Sequence, residues 1–164
     1  MVYNILMARD KLAPAIGKAG ELRVRSELIL KGFNPGMFDF DNGTDIILEN
    51  GKKIGVKTSL KPIYSKKDYS WRYTFSIRTP QVRNVGKGLY EKKFMRKDYL
   101  GFVDYWIFWC VQDDIFYIIP NGKIGQKVSF CISTPEFQRR YIRHKKYESI
   151  SKYEKYKNNW EQLR

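Results

Sequence analysis

Histidine and cysteine are nearly absent from this chain: it has one histidine, His144, and two cysteines, Cys110 and Cys131, with no CxxC or Cys/His grouping. That inventory excludes a histidine-based nuclease and a zinc site built on Cys and His. The two thiols, each in an apolar strand-like segment, are expected to be buried and free. Long apolar runs are missing too, since none approaches the roughly 20 residues that span a bilayer. The first dozen residues become charged too soon for a secretory leader. The expected location is therefore cytoplasmic, with no membrane partner. A phosphate-binding glycine loop, an internal repeat and a low-complexity tract are also lacking.

Acidic residues are in short supply. Lysine and arginine number 31 against 17 acids, a formal net charge of +14. Solubility needs far less, and a polyanion is the expected partner, because each phosphate contact releases counterions. A general lysine enrichment is the bland alternative. No stretch joins a strong apolar face to a basic one at the length a membrane-surface helix requires. With 164 residues and 43% hydrophobic content, the chain fits one domain, residues 1–164, with its own core.

Residues 14–31 carry helix formers with Ile16, Val24, Leu28 and Ile29 as apolar points, and Gly32 is a natural stop. Residues 33–40, holding Pro35 and Gly36, read as irregular, and Asn42-Gly43 signals a turn. Two short strands, 45–48 and 53–58, flank Glu49-Asn50-Gly51-Lys52, whose Asn-Gly pair is a strong hairpin signal. Residues 71–78 alternate as a strand with one buried face. Residues 81–100 read as a basic, glycine-containing connection. The run 103–110 is nearly all apolar, as suits a central strand covered on both faces. Residues 115–119 pair with it, and 127–133 supply a sixth strand. From Pro135 the pattern turns helical and basic, and Tyr153, Tyr156, Trp160 and Leu163 are spaced as a docking helix requires. The fold class is α/β (α+β), a mixed central sheet flanked by helices, with a basic C-terminal helical segment over about 135–164.

Antiparallel pairing in the hairpin brings Asp45 and Lys57 to the same end of the ribbon. A carboxylate there can hold Mg²⁺, a hard cation that prefers oxygen and keeps several waters. A lysine beside it can orient or deprotonate the attacking water and offset charge on phosphorus. Glu21 shares a helical stripe with Val24 and Leu28, an unusual place for an acid unless it is paired or metal-bound. Its other reading is a surface pair with Lys18 or Arg25. Glu49 sits at the opposite, turn end of the hairpin and is assigned no catalysis.

Gly20-Glu21, then Gly43-Thr44-Asp45, then Ile54-Gly55-Val56-Lys57-Thr58-Ser59 resembles the PD-(D/E)XK nuclease superfamily, which includes restriction enzymes, junction resolvases and some homing endonucleases. The likeness extends over about residues 17–120. It implies a restriction-endonuclease-like core and a Mg²⁺-dependent DNA endonuclease, with Mn²⁺ able to substitute. Asp45 would be the metal-binding acid, Lys57 the catalytic lysine and Glu21 the helix acid, with the Val56 carbonyl available to the ion. One position departs from the pattern, because two residues before the lysine, where glutamate or glutamine is usual, stands Gly55. Three accounts are open: Glu21 compensates, the chain is a non-cutting relative, or the residue was altered to stop cleavage.

Thr58, Ser59 and Lys61 extend from the strand of Lys57 and are candidates for phosphate contact. Lys66, Lys67, Arg72 and the basic residues of 83–97 add charge on loops, and Arg139, Arg140, Arg143, Lys145 and Lys146 form the densest basic cluster. Homing or restriction-like cleavage of double-stranded, nucleoid-associated DNA is the favoured expectation. It calls for two active sites and hence a homodimer or homotetramer. The alternatives are a catalytically inactive DNA-binding or assembly module, a Holliday-junction resolvase, and a basic RNA-associated protein that has no use for the Asp45/Lys57 pairing.

Overall fold

A computed structural model describes residues 2–37, 43–65, 70–84, 90–96, 102–125, 129–133 and 152–164. Helix α1 (Val2–Leu30) starts twelve residues before the expected Pro14 and carries that proline inside it. The good helix formers Leu6, Met7, Ala8 and Ala13 precede the proline. An interior proline removes one hydrogen bond at a cost of about 3 kcal/mol without having to end the helix. Gly32, at φ +82°, ends it as expected, with Phe33 N–H donating to the Leu28 carbonyl at 3.0 Å.

The strands are β1 (Pro35–Met37), β2 (Ile46–Leu48), β3 (Lys53–Ser59), β4 (Ile63–Ser65), β5 (Ser70–Ser76), β6 (Arg78–Asn84), β7 (Tyr90–Arg96), β8 (Tyr105–Cys110), β9 (Ile115–Pro120) and β10 (Ser129–Ile132). A five-stranded sheet runs β1-β2-β3-β8-β9, a second runs β10-β5-β4, and β6 and β7 form a two-stranded ribbon. In the first sheet β3 and β8 are parallel and the other pairs antiparallel. The fold is thus a mixed central sheet with α1 on one face. Three segments differ from expectation. Residues 35–37 are a strand rather than irregular, because a proline is tolerated at a sheet edge. The supposed connection 81–100 contains most of a β-ribbon, whose polar, basic strands lack the apolar alternation that reveals a half-buried strand. The short edge strand β4 also went unread.

Each face of the central sheet has its own core. On the α1 side, Val24 and Leu28 meet Ile46, Ile54, Ile107 and Ile118. On the other, Trp106, Phe108 and Tyr117 meet Tyr73, Phe75 and Phe130 from the second sheet. The strand 105–110 is therefore covered on both sides, as its composition requires. Neither Cys110 nor Cys131 is in a disulfide; Cys110 is buried as expected, whereas Cys131, on the outer strand β10, is only half-buried. No helix among the described residues is long and apolar enough to cross a membrane.

The C-terminal stretch differs from the expected docking helix within its described part, 152–164. It forms two 3₁₀ turns, Glu154–Tyr156 and Trp160–Leu163. The buried pairs Tyr153/Tyr156 and Trp160/Leu163 are each three apart, which suits the 3₁₀ repeat as well as the α repeat. Asn158, at φ +49°, breaks the path between them. Its N–H donates to the Phe116 carbonyl at 2.7 Å, and its side-chain oxygen accepts from Phe116 N–H at 3.0 Å. The chain is thereby fastened to the outer edge of β9.

Candidate active site

The β2–β3 hairpin closes through Gly51 at φ +82°, with Gly51 N–H donating to Leu48 O at 2.9 Å and Leu48 N–H to Lys52 O at 3.0 Å. That turn fixes the register, Ile46 opposite Ile54 and Ile47 opposite Lys53. Asp45, one residue before β2, donates its N–H to the Ile54 carbonyl at 2.9 Å. Its carboxylate then replaces the missing strand partner, with Oδ2 accepting from Val56 N–H at 2.6 Å. Within a strand the N–H and C=O of one residue point the same way. The Val56 carbonyl therefore faces the Asp45 side, where β2 no longer pairs. Thr44, buried, donates its hydroxyl to the Phe102 carbonyl and pins the segment that delivers Asp45.

Helix α1 descends onto β3 at Gly20. A Cβ there would meet the Thr58 hydroxyl, so a larger residue would have to displace the Thr58 side chain. Glu21 follows directly and is half-buried, with Lys18 Nζ 2.9 Å from its carboxylate. Thus the Lys18 pairing weighed for Glu21 is present, and Glu21 still acts on the sheet. Burial raises the Asp45 pKa above the usual carboxylate range, and Glu21's charge pushes the same way. Lys57, the Val56 N–H and Lys18 pull it down. Glu21, Lys57 and Lys18 thus all lie close enough to act on the charge of Asp45.

Lys57 is half-buried, its Nζ 5.2 Å from the centroid of the Trp106 ring. Trp106 is fully buried, and its indole N–H donates to the side-chain oxygen of buried Asn121 at 3.0 Å. Gly55 and Trp106 are partners across the parallel β3–β8 pair. A Cβ on Gly55 would lie 2.6 Å and 2.8 Å from two indole carbons and 3.0 Å from the Gly43 carbonyl oxygen. Packing therefore demands the glycine. The room a side chain would need there belongs to Trp106.

The register that sets these neighbours rests on a reciprocal pair: Lys53 N–H donates to the Asp104 carboxylate and Asp104 N–H to the Lys53 carbonyl, each at 2.8 Å. The sequence assigned no role to Trp106, Asn121 or Asp104, and placed Thr44 only as a motif neighbour of Asp45. Only an acid and an amide bracketing an apolar strand hinted at Asp104 and Asn121.

Among the described residues no group of three or more His, Cys, Asp or Glu side chains could hold a metal ion. The available set is Asp45, Glu21 and the Val56 carbonyl, all oxygen donors. Such a set suits Mg²⁺, which retains waters, and does not suit zinc.

The other candidates are dispersed. Thr58 lies beneath α1 at Gly20, Ser59 ends β3 opposite Cys110, and Lys61 is exposed beyond it. Arg72 sits half-buried on β5 opposite Ile63 of β4. Glu49 is exposed at the hairpin turn. Lys66, Lys67, Arg139, Arg140, Arg143, His144, Lys145 and Lys146 lie outside the described residues.

No protein-family model matches the chain, and no curated protein matches it by sequence. Among solved structures, it is similar to that of a bacterial homing endonuclease, I-Ssp6803I, at 14% identity and a TM-score of 0.62, covering 92% of this chain and 91% of that one. At that identity the likeness establishes a shared fold across nearly the whole of both chains.

Proposed function

We propose that the protein is a metal-dependent endonuclease acting on double-stranded DNA. The observation that supports this reading is the electrostatic setting of Asp45 at the open end of the hairpin, where Lys57 favours its charge and burial and Glu21 both oppose it. Burying a carboxylate near a second negative charge is costly, and a divalent cation would offset that cost. Asp45, Glu21 and the Val56 carbonyl would hold Mg²⁺ or Mn²⁺. Bound there, the ion would polarise the scissile phosphate and acidify a water. The Lys57 ammonium donates hydrogen bonds to the attacking water and to the oxygens that gain charge on phosphorus. Lys18 keeps Glu21 oriented.

DNA binding would draw on the net charge of +14. Strands β6 and β7 carry five basic residues and one acid, and a two-stranded ribbon fits a major groove. Thr58, Ser59, Lys61, Arg72, Arg139, Arg140 and Arg143 are further candidates for DNA contact. Cleavage of both strands would require a homodimer or homotetramer.

The test is nicking and linearisation of supercoiled plasmid and of genomic DNA in Mg²⁺ or Mn²⁺. Asp45→Asn and Lys57→Met should each lower the rate by about 10²-fold or more. Failure of the unaltered chain to cut any DNA with either ion, together with no heat of Ca²⁺ binding, would overturn the proposal. A second reading, a nuclease-fold module that binds DNA without cutting, is favoured by one observation: the indole of Trp106 occupies the space of the usual acidic side chain at Gly55. That module would bind duplex DNA with no calorimetric cation site, whereas the enzyme should bind Ca²⁺ and lose it in Asp45→Ala.

A further inference from the structure

The indole of Trp106 does more than fill space. Three independent contacts fix where it lies. Its N–H is held by Asn121 at 3.0 Å, Phe108 is stacked beside it with ring centroids 6.3 Å apart, and the bare Gly55 backbone leaves no room for a Cβ between β3 and the ring. A ring so constrained presents a fixed π-face, and the Lys57 ammonium sits 5.2 Å from its centroid. That distance is within cation–π range, and tryptophan is the strongest aromatic partner.

A lysine ordinarily loses much rotamer freedom when it is held in one geometry. Here the cost is met by a partner that carries no negative charge. An acidic partner at this distance would compete for the ammonium's donors, but the indole attracts the charge and leaves the N–H bonds free for a water or phosphate oxygen.

We infer that Trp106 is a positioning residue for Lys57, its indole aligned by Asn121 and admitted by the absence of a side chain at Gly55. The inference rests on the nuclease reading for its catalytic meaning, though the contact itself can be tested without DNA. Trp106 acts through Lys57 and does not touch the reacting atoms.

The experiment is ¹³C reductive methylation of the whole protein followed by NMR of the dimethyl-lysine signals, with Lys57→Arg used to assign the Lys57 resonance. Methylation keeps the charge, so the ring current of Trp106 should displace that signal upfield of the exposed lysines. Trp106→Phe, which keeps an aromatic ring but loses the Asn121 bond, should move it part of the way back. Asn121→Ala, which leaves the indole intact but unaligned, should do the same, and these milder variants cover the case in which Trp106→Leu fails to fold.

In plasmid cleavage by unmethylated protein, Trp106→Phe should lower kcat by about 2- to 30-fold with KM for DNA unchanged. A Lys57 signal that lies among the surface lysines, or one indifferent to both Trp106→Phe and Asn121→Ala, overturns the inference. A displaced, variant-sensitive signal in a protein that cuts no DNA overturns the nuclease reading and supports the contact.

Discussion

At Asp45 the sign of the pKa shift carries a stability prediction. Burial holds the carboxyl above its ordinary value, so the folded chain binds this proton more tightly than the unfolded chain does. The corresponding stability is fully present below about pH 4, the unfolded value, and is lost as pH rises through the raised folded value. At neutral pH the ionised form is a net cost. Asp45→Asn, which can still accept the Val56 N–H, should therefore raise the melting temperature by a few degrees at pH 7 and leave it nearly unchanged at pH 3. Millimolar Mg²⁺ should raise the melting temperature of the unaltered protein and not that of the variant.

Gly55 makes a second residue-scale prediction. Gly55→Ala should cost about 1–3 kcal/mol in a urea titration, because a Cβ must displace the indole or the Gly43 carbonyl. Gly55→Gln should lose at least as much, and so cannot serve as a simple restoration of the usual side chain. Position 55 was legible as a departure from a pattern. Its cause was not, since the obstructing ring comes from a strand 51 residues away in sequence.

At the scale of elements, local chemistry set most of what could be read. The β2–β3 hairpin is encoded by Asn50-Gly51 and two apolar flanks, and it alone brings Asp45 toward Lys57. Strands β8 and β9 announce themselves by apolar composition, and the left-handed Asp114 closes the turn between them. The β6–β7 ribbon was hidden because neither strand has a consistently apolar face, and periodicity is silent without one.

The C-terminal turns were misread as a helix for the opposite reason. Their apolar spacing fits either helical repeat, and only the latch at Asn158 decides. Asn158→Ala should therefore destabilise by about 1–3 kcal/mol in thermal or urea unfolding, since it loses the bond to Phe116 N–H and puts an alanine at positive φ. Asn158→Gly, which keeps the backbone freedom, should cost less. Equal losses for the two would argue against backbone strain as a component.

For the molecule as a whole, charge is the property that composition predicts most directly. If the +14 serves a duplex, affinity should fall steeply with salt, and fluorescence anisotropy over a range of KCl should give a log–log slope of several units. The double substitution Lys92→Ala/Lys93→Ala on β7 should reduce that slope by about 2 if both contact phosphates. An unchanged slope would remove the ribbon from the DNA interface. Light scattering of the free protein and its DNA complex would test the expected dimer or tetramer.

Sequence patterns were sufficient for the segments whose information is local: a turn of four residues, an apolar central strand, and an acid and a lysine delivered to one ribbon end by antiparallel pairing. The helix acid was readable as a candidate, but its approach depends on Gly20 meeting Thr58 across two elements. Lys57 was readable as a lysine near an acid; the ring beneath it was not. That contact follows from the parallel alignment of β3 with β8, set by Lys53 and Asp104 at a separation of 51 residues. Parallel strands have no connecting turn to fix their register, so no local spacing records which residues face each other, and the packed tertiary structure alone chooses them.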